Sequence, residues 1–196
     1  MKKSKSDAQR PIFAGWMWKR DDMIKAIVLV VLSAGIVVVS WTSLRDPHSH
    51  GFWRFFAFES FLVLVVLNIE SWFRDPFSTR QIVSWVLLLS SLIVAVHGFY
   101  LLLMTGKPKG GIENTTTLVI RGAYKYIRHP LYTTLLMGGA GVFLKDPSLL
   151  GGILVLLTSV FVIATAKAEE VENLRRFGAD YAAYIKSTKM FVPLVV

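Results

Sequence analysis

The chain contains no cysteine. Disulfides, thiolate metal sites and cysteine nucleophiles are therefore excluded from both its stability and its chemistry. Acidic residues are scarce, 13 Asp and Glu against 22 Lys and Arg, which leaves a net charge of +9. Such an excess would suit nucleic acid. Here, however, the basic residues fall in connectors between apolar runs, where membrane topology places them, so nucleic acid is not an expected partner. Segments of alternating polarity, the mark of a membrane β-barrel, are missing as well. No small-residue cleavage site follows the first apolar run, which reads as an uncleaved helix and not as a signal peptide.

What the chain has in quantity is long apolar runs. Of its 196 residues 54% are hydrophobic, and the mean hydropathy is +0.52. A helix needs about 20 apolar residues to cross roughly 30 Å of hydrocarbon. Runs at 24–41, 82–104 and 149–167 meet that need. The run at 52–69 carries Arg54 and Glu59, and the run at 131–144 is short. The expectation is an all-α integral membrane protein forming one domain over residues 1–196. It is a bundle of five transmembrane helices, four if 52–69 fails to cross, followed by a C-terminal amphipathic surface helix.

The connectors give the bundle its order. A basic leader holds Lys2, Lys3, Lys5, Arg10, Lys19 and Arg20, with Trp16 and Trp18 as interfacial anchors. Asp46-Pro47 and Asp75-Pro76 punctuate the first two links, since proline cannot continue a helix. A long polar connector, 105–130, contains Gly106, Pro108, Gly110 and Gly111 and a basic stretch at 121–128. An apolar hairpin, 131–167, turns at Lys145-Asp146-Pro147. Beyond it Leu174, Phe177, Gly178, Tyr181, Tyr184 and Ile185 recur at helical spacing, opposite Glu169, Glu172, Arg175, Arg176 and Lys186. This places a surface helix beginning near Glu169. The hairpin enters and leaves on one side, so the connector and that helix share a membrane face, expected to be cytosolic from their Lys and Arg content.

Candidate chemistry concentrates on that face. Pro130 suits the first turn of a helix, where its missing N–H is no loss. His129 and Tyr132 then flank a helix N-terminus, which favours a carboxylate-bearing ligand. Tyr124 and Tyr132 offer flat rings with a polar tip, suited to an adenine or a ribose. Glu169 and Glu170 are costly at membrane level unless partnered. Taken alone, Arg-His-Pro is equally readable as interface decoration and the glutamates as solvated first-turn residues. Elsewhere, His97 stands alone without a second metal ligand and is expected between helices or in a substrate cavity. Gly138, Gly139 and Gly141 suggest close helix packing.

The motifs Thr117-Leu118-Val119, Gly122-x-Tyr124, Arg128-His129-Pro130-x-Tyr132, Glu169-Glu170, Phe177-Gly178-x-x-Tyr181 and Phe191-Val192-Pro193 resemble the superfamily of isoprenylcysteine carboxyl methyltransferases and phospholipid methyltransferases. The resemblance implies an S-adenosylmethionine-dependent methyltransferase acting on a lipophilic small-molecule or lipidated acceptor within membrane lipid. It also implies cofactor contacts at Thr116, Thr117, Leu118, Val119, Tyr124, His129, Pro130, Leu131, Tyr132 and Glu169, with Glu170 or His129 as proton acceptor. On this reading 1–104 supplies the substrate side and 105–196 the cofactor side. Isoprenylcysteine methyltransferases place an arginine about four residues before the first glutamate, facing the substrate carboxylate; here Thr165 stands there, and Lys167 is on another face. A phospholipid amine or small-thiol acceptor is therefore as plausible as a prenylcysteine. The Arg-His-Pro-x-Tyr element is shared with NADPH-dependent membrane sterol or enone reductases, one alternative class. A non-catalytic membrane scaffold is another.

Overall fold

The computed structural model describes residues 12–110 and 114–192. Six helices account for most of them: α1 (Ile12–Ser40), α2 (His50–Asn68), α3 (Thr79–Met104), α4 (Pro130–Phe143), α5 (Leu149–Phe177) and α6 (Ala179–Ser187). The leader residues Lys2, Lys3, Lys5 and Arg10 lie outside the described residues, as do Gly111, Pro193 and the side chains of Trp16, Trp18 and Lys19. Serines start three of the helices. Ser49, Ser78 and Ser148 each accept from a backbone N–H in the first turn of α2, α3 and α5, using side-chain oxygens to satisfy donors that a helix start leaves open. Pro130 occupies the first turn of α4.

The five longer helices run in alternation between two ends of the bundle. At one end Lys25 pairs with Glu70, Ser71 Oγ reaches Asp146, and Gln81 Nε2 donates to the Lys145 carbonyl. At the other end His50 meets Glu172 and the connector meets α5 and α6. Four helices, α1, α2, α3 and α5, are long and apolar enough to cross a membrane. The expected fifth span is the shorter α4, 14 residues, or about 21 Å at 1.5 Å per residue. It starts beside Gly98, where an added Cβ would lie 2.9 Å from Leu131, and reaches Ser84, whose Oγ donates to Gly141 O at 2.6 Å. Gly98 lies six residues before the end of α3, so α4 begins roughly 9 Å inside that helix's tip. The polar connector thus dips into the bundle.

The C-terminal segment differs from the expected break near Glu169. No helix-breaking residue occurs in Thr165-Ala166-Lys167-Ala168-Glu169-Glu170, and α5 continues unbroken to Phe177. The change in polarity there marks departure from hydrocarbon, not the end of the helix. The break falls at Gly178, with φ +57° and ψ −127°, a mirror-β conformation that glycine adopts without strain. The amphipathic surface helix is therefore the short α6, folded back with Tyr181 and Tyr184 buried.

Small and hydroxylated residues make the α2–α5 seam. Ala57, Val162 and Ala166 are buried with Phe191, and Ser60 Oγ lies 2.9 Å from Thr158 Oγ1. Such residues let backbones approach closely in lipid. Of the three α4 glycines, Gly138 faces Phe61 and Gly141 faces Leu88, whereas a Cβ at Gly139 would meet nothing within 4 Å. Glu59 accepts from Ser33 Oγ on α1, and Asn68 donates to Leu64 O, so each of these two polar side chains of α2 has a partner within the bundle.

Candidate active site

Three segments are tied together where the connector dips inward. Arg128 sits at the centre. Its Nε donates to Glu170 Oε1 at 2.6 Å, and its guanidinium also reaches the carbonyls of Ile185, at 3.2 Å, and Thr188, at 2.5 Å. Residues 126–129 run beside the tail in a single parallel bridge, Ile127 with Lys189, and His129 N donates to Met190 O. Tyr184 OH donates to Tyr124 O at 2.6 Å. The Arg of Arg-His-Pro is thus a buried tie, and not interface decoration.

That framework places His129 between two carboxylates. Its Nδ1 lies 3.7 Å from Glu169 Oε2 and its Nε2 3.4 Å from Glu170 Oε1. The second contact lacks hydrogen-bond geometry, leaving Nε2 buried without a bond. The imidazole stacks on Tyr132 at 5.4 Å and lies near Phe191. Only 3% of the side chain is exposed, against 23% for Glu169.

Beside this cluster is a cavity of about 630 Å³. Leu118, Val119, Tyr124, His129, Leu131, Tyr132 and Glu169, all expected contacts, line it. Thr116, Thr117, Pro130 and Glu170 do not. Thr116 and Thr117 are exposed and close a turn over the end of α3, both N–H groups donating to Gly106 O. Pro130 is buried in the helix start, and Glu170 faces Arg128. His97 is also outside the cavity and packs over Gly122. Burial and the nearby Glu169 carboxylate raise the Tyr124 phenol well above its ordinary range. Burial likewise raises Tyr181 and Tyr184, so all three remain neutral phenols.

Several wall residues were not foreseen. Arg128, Asn173, Phe177, Tyr181 and Tyr184 come from the connector, α5 and α6, and Val39, Ser40, Thr42, Ser43, Arg54 and Phe58 from α1, α2 and their link. The Phe177-Gly178-x-x-Tyr181 motif signals the first set. Of the second set, only Arg54, a charge within an apolar run, is signalled by the sequence of the first half. Among the described residues α1 packs on α2 and makes no substantial contact with α3, while Val39 on α1 and Phe99 on α3 both line the cavity.

No curated protein matches the chain. The sequence model of one family, described as phospholipid methyltransferase, matches residues 79–179. The match begins with α3 and ends where α6 starts, and so contains the connector, the His129–Glu169 cluster and the helices that carry it. Covering more than half of the chain, it makes this protein a member of the phospholipid methyltransferase family.

Proposed function

We propose that the protein is an S-adenosylmethionine-dependent methyltransferase whose acceptor is a membrane lipid amine, with its reaction cavity opening on the cytosolic face. The observation that carries this reading is the cavity beside His129, walled mainly by the family-matched region and completed by residues of α1, α2 and the link between them. A volume of about 630 Å³ falls within the range of roughly 300–1,000 Å³ usual for small-molecule sites. Its chemistry fits the cofactor: the Glu169 carboxylate suits hydroxyl or amino groups, and the rings of Tyr124, Tyr132, Phe177 and Tyr181 suit an adenine and a cation.

When bound, S-adenosylmethionine supplies a methyl group already activated on a sulfonium. The chain's own task is to hold the acceptor close, exclude water and remove a proton. The buried imidazole of His129 is the group placed to receive the proton an amine loses. The carboxylates of Glu169 and Glu170 on its two sides stabilise the imidazolium that forms. Glu170, held by Arg128 away from the cavity, contributes its charge beside His129, whose position is set by the bond from His129 N to Met190 O and the stack on Tyr132. The gap between α1 and α3 offers the acceptor a lateral path from lipid, past Val39 and Phe99.

A lipid amine is favoured over a prenylcysteine carboxylate by Thr165. This residue is 1% exposed, donates to Phe161 O at 2.7 Å and takes no part in the cavity wall. Lys167 faces elsewhere. The test is methyl transfer from labelled cofactor by purified protein to phosphatidylethanolamine, prenylcysteine and small thiols, alongside binding of S-adenosylhomocysteine and NADPH. Label entering phosphatidylethanolamine is the expected result. Binding of NADPH with no affinity for S-adenosylhomocysteine would overturn the methyltransferase reading in favour of a reductase, and binding of neither would point to a scaffold.

A further inference from the structure

A second groove, separate from the reaction cavity, lies on the outer side of α5 against the C-terminal strap. Its volume is about 490 Å³, and its lining includes Ile163, Lys167, Ile185, Lys189 and Met190. Ile163 and Lys167 are both exposed and four residues apart on one helix, so they share a face, with Ile163 roughly 6 Å deeper in the bilayer. The opposite wall is fixed by backbone bonds: Lys189 N donates to Tyr126 O and Arg128 N to Lys189 O.

Two cations from separate elements therefore stand above an apolar trough on a helix that crosses the membrane. A lone interfacial lysine usually extends its ammonium to water. Here, Lys167 and Lys189 both line one groove, and among the described residues its lining contains no carboxylate. Glu170, the nearby acid, is already bonded to Arg128. Basic pockets at the membrane surface bind anionic lipid head groups.

We infer that this groove is a binding site for one anionic phospholipid of the surrounding leaflet. Its phosphate lies between Lys167 and Lys189, and an acyl chain lies along Ile163 and Met190. The site does not depend on the methyltransferase reading, but it shares a wall with the active centre: Phe191 lines the groove and packs near His129, so lipid there braces the strap that positions the imidazole.

The test is native mass spectrometry of the full chain in detergent supplied with phosphatidylglycerol or phosphatidylcholine. Wild type is expected to retain one phosphatidylglycerol preferentially. The Lys167→Gln, Lys189→Gln double variant should lose that preference by about thirtyfold, roughly fivefold for each lysine. A control pair on the same face, Lys109→Gln and Lys186→Gln, should keep it. Equal retention of both lipids by wild type, or equal loss in the two double variants, overturns the inference. With wild type alone, phosphatidylglycerol carrying a diazirine in its acyl chain should label Ile163 or Met190; adducts confined to other helices overturn it as well.

Discussion

Arg128 and Glu170 form an ion pair of 2.6 Å, with side chains only 9% and 15% exposed. The same guanidinium serves two carbonyls of the α6 region, so one residue links the start of α4, the exit of α5 and the tail. Arg128→Ala leaves Glu170 buried without its cation, a loss worth about 3–5 kcal/mol in buried pairs. We expect a large fall in the thermal unfolding midpoint in detergent. Glu170→Gln, which retains an oxygen to accept the Arg128 bond, should fall less. An Arg128→Ala protein as stable as wild type would show that the tie is dispensable.

Glu169 should behave in the opposite way. It faces the cavity and is more exposed than its neighbour, so the fold does not need its charge. Glu169→Gln is expected to weaken S-adenosylhomocysteine binding by about tenfold or more, the range for losing a charge-assisted hydrogen bond, with an unchanged melting midpoint. Calorimetric titration beside a thermal scan separates the two glutamates. A Glu169→Gln protein with full affinity would remove this carboxylate from the proposed cofactor site.

The contrast between adjacent glutamates shows where sequence reading reached its limit. Long apolar runs and the helix-starting Pro130 are local signals, and they located the bundle and the beginning of α4. Sharing of one face by the connector and the C-terminal segment also followed, because a hairpin must return to its own side. The resemblance set Glu169 toward the cofactor, but the pairing of Glu170 with Arg128 did not follow, since it depends on how a continuous α5 rotates each side chain toward the cavity or toward Arg128. Arg54 apart, the α1–α2 wall was equally hidden. Ser40 and Ser43 are ordinary near a helix end, and only packing brings them opposite Tyr132.

At the far end of the bundle, Lys145 is fully buried. Its ammonium lies 3.8 Å from the centre of the Trp85 ring and donates to Gln81 Oε1 at 3.0 Å. Burial lowers its pKa below the ordinary 10.5, so the unfolded chain binds this proton more tightly than the folded one. Stability contributed by this group is therefore full above 10.5 and lost as pH falls through the lowered value. The melting midpoint is expected to rise on approaching that window from neutral pH. In Lys145→Met, this part of the rise should vanish; an identical pH profile in the variant would refute the assignment.

Gly178 offers a test of backbone conformation separated from packing. Its φ of +57° turns the chain from α5 into α6, yet a Cβ there would meet nothing within 4 Å. With ψ at −127° Gly178 lies in the mirror-β region that glycine alone enters readily, so Gly178→Ala introduces no clash with other elements, only a backbone penalty of about 1–3 kcal/mol. Asparagine is favoured only in the left-handed helical region at positive ψ, so Gly178→Asn should be as harmful as Gly178→Ala. Because α6 carries Tyr181 and Tyr184 into the cavity wall, any relaxation of the turn moves those rings away from Tyr124. Both variants are expected to lower the melting midpoint by similar amounts, and to weaken S-adenosylhomocysteine binding together. If both variants melt and bind as wild type does, the turn conformation at Gly178 is not a constraint.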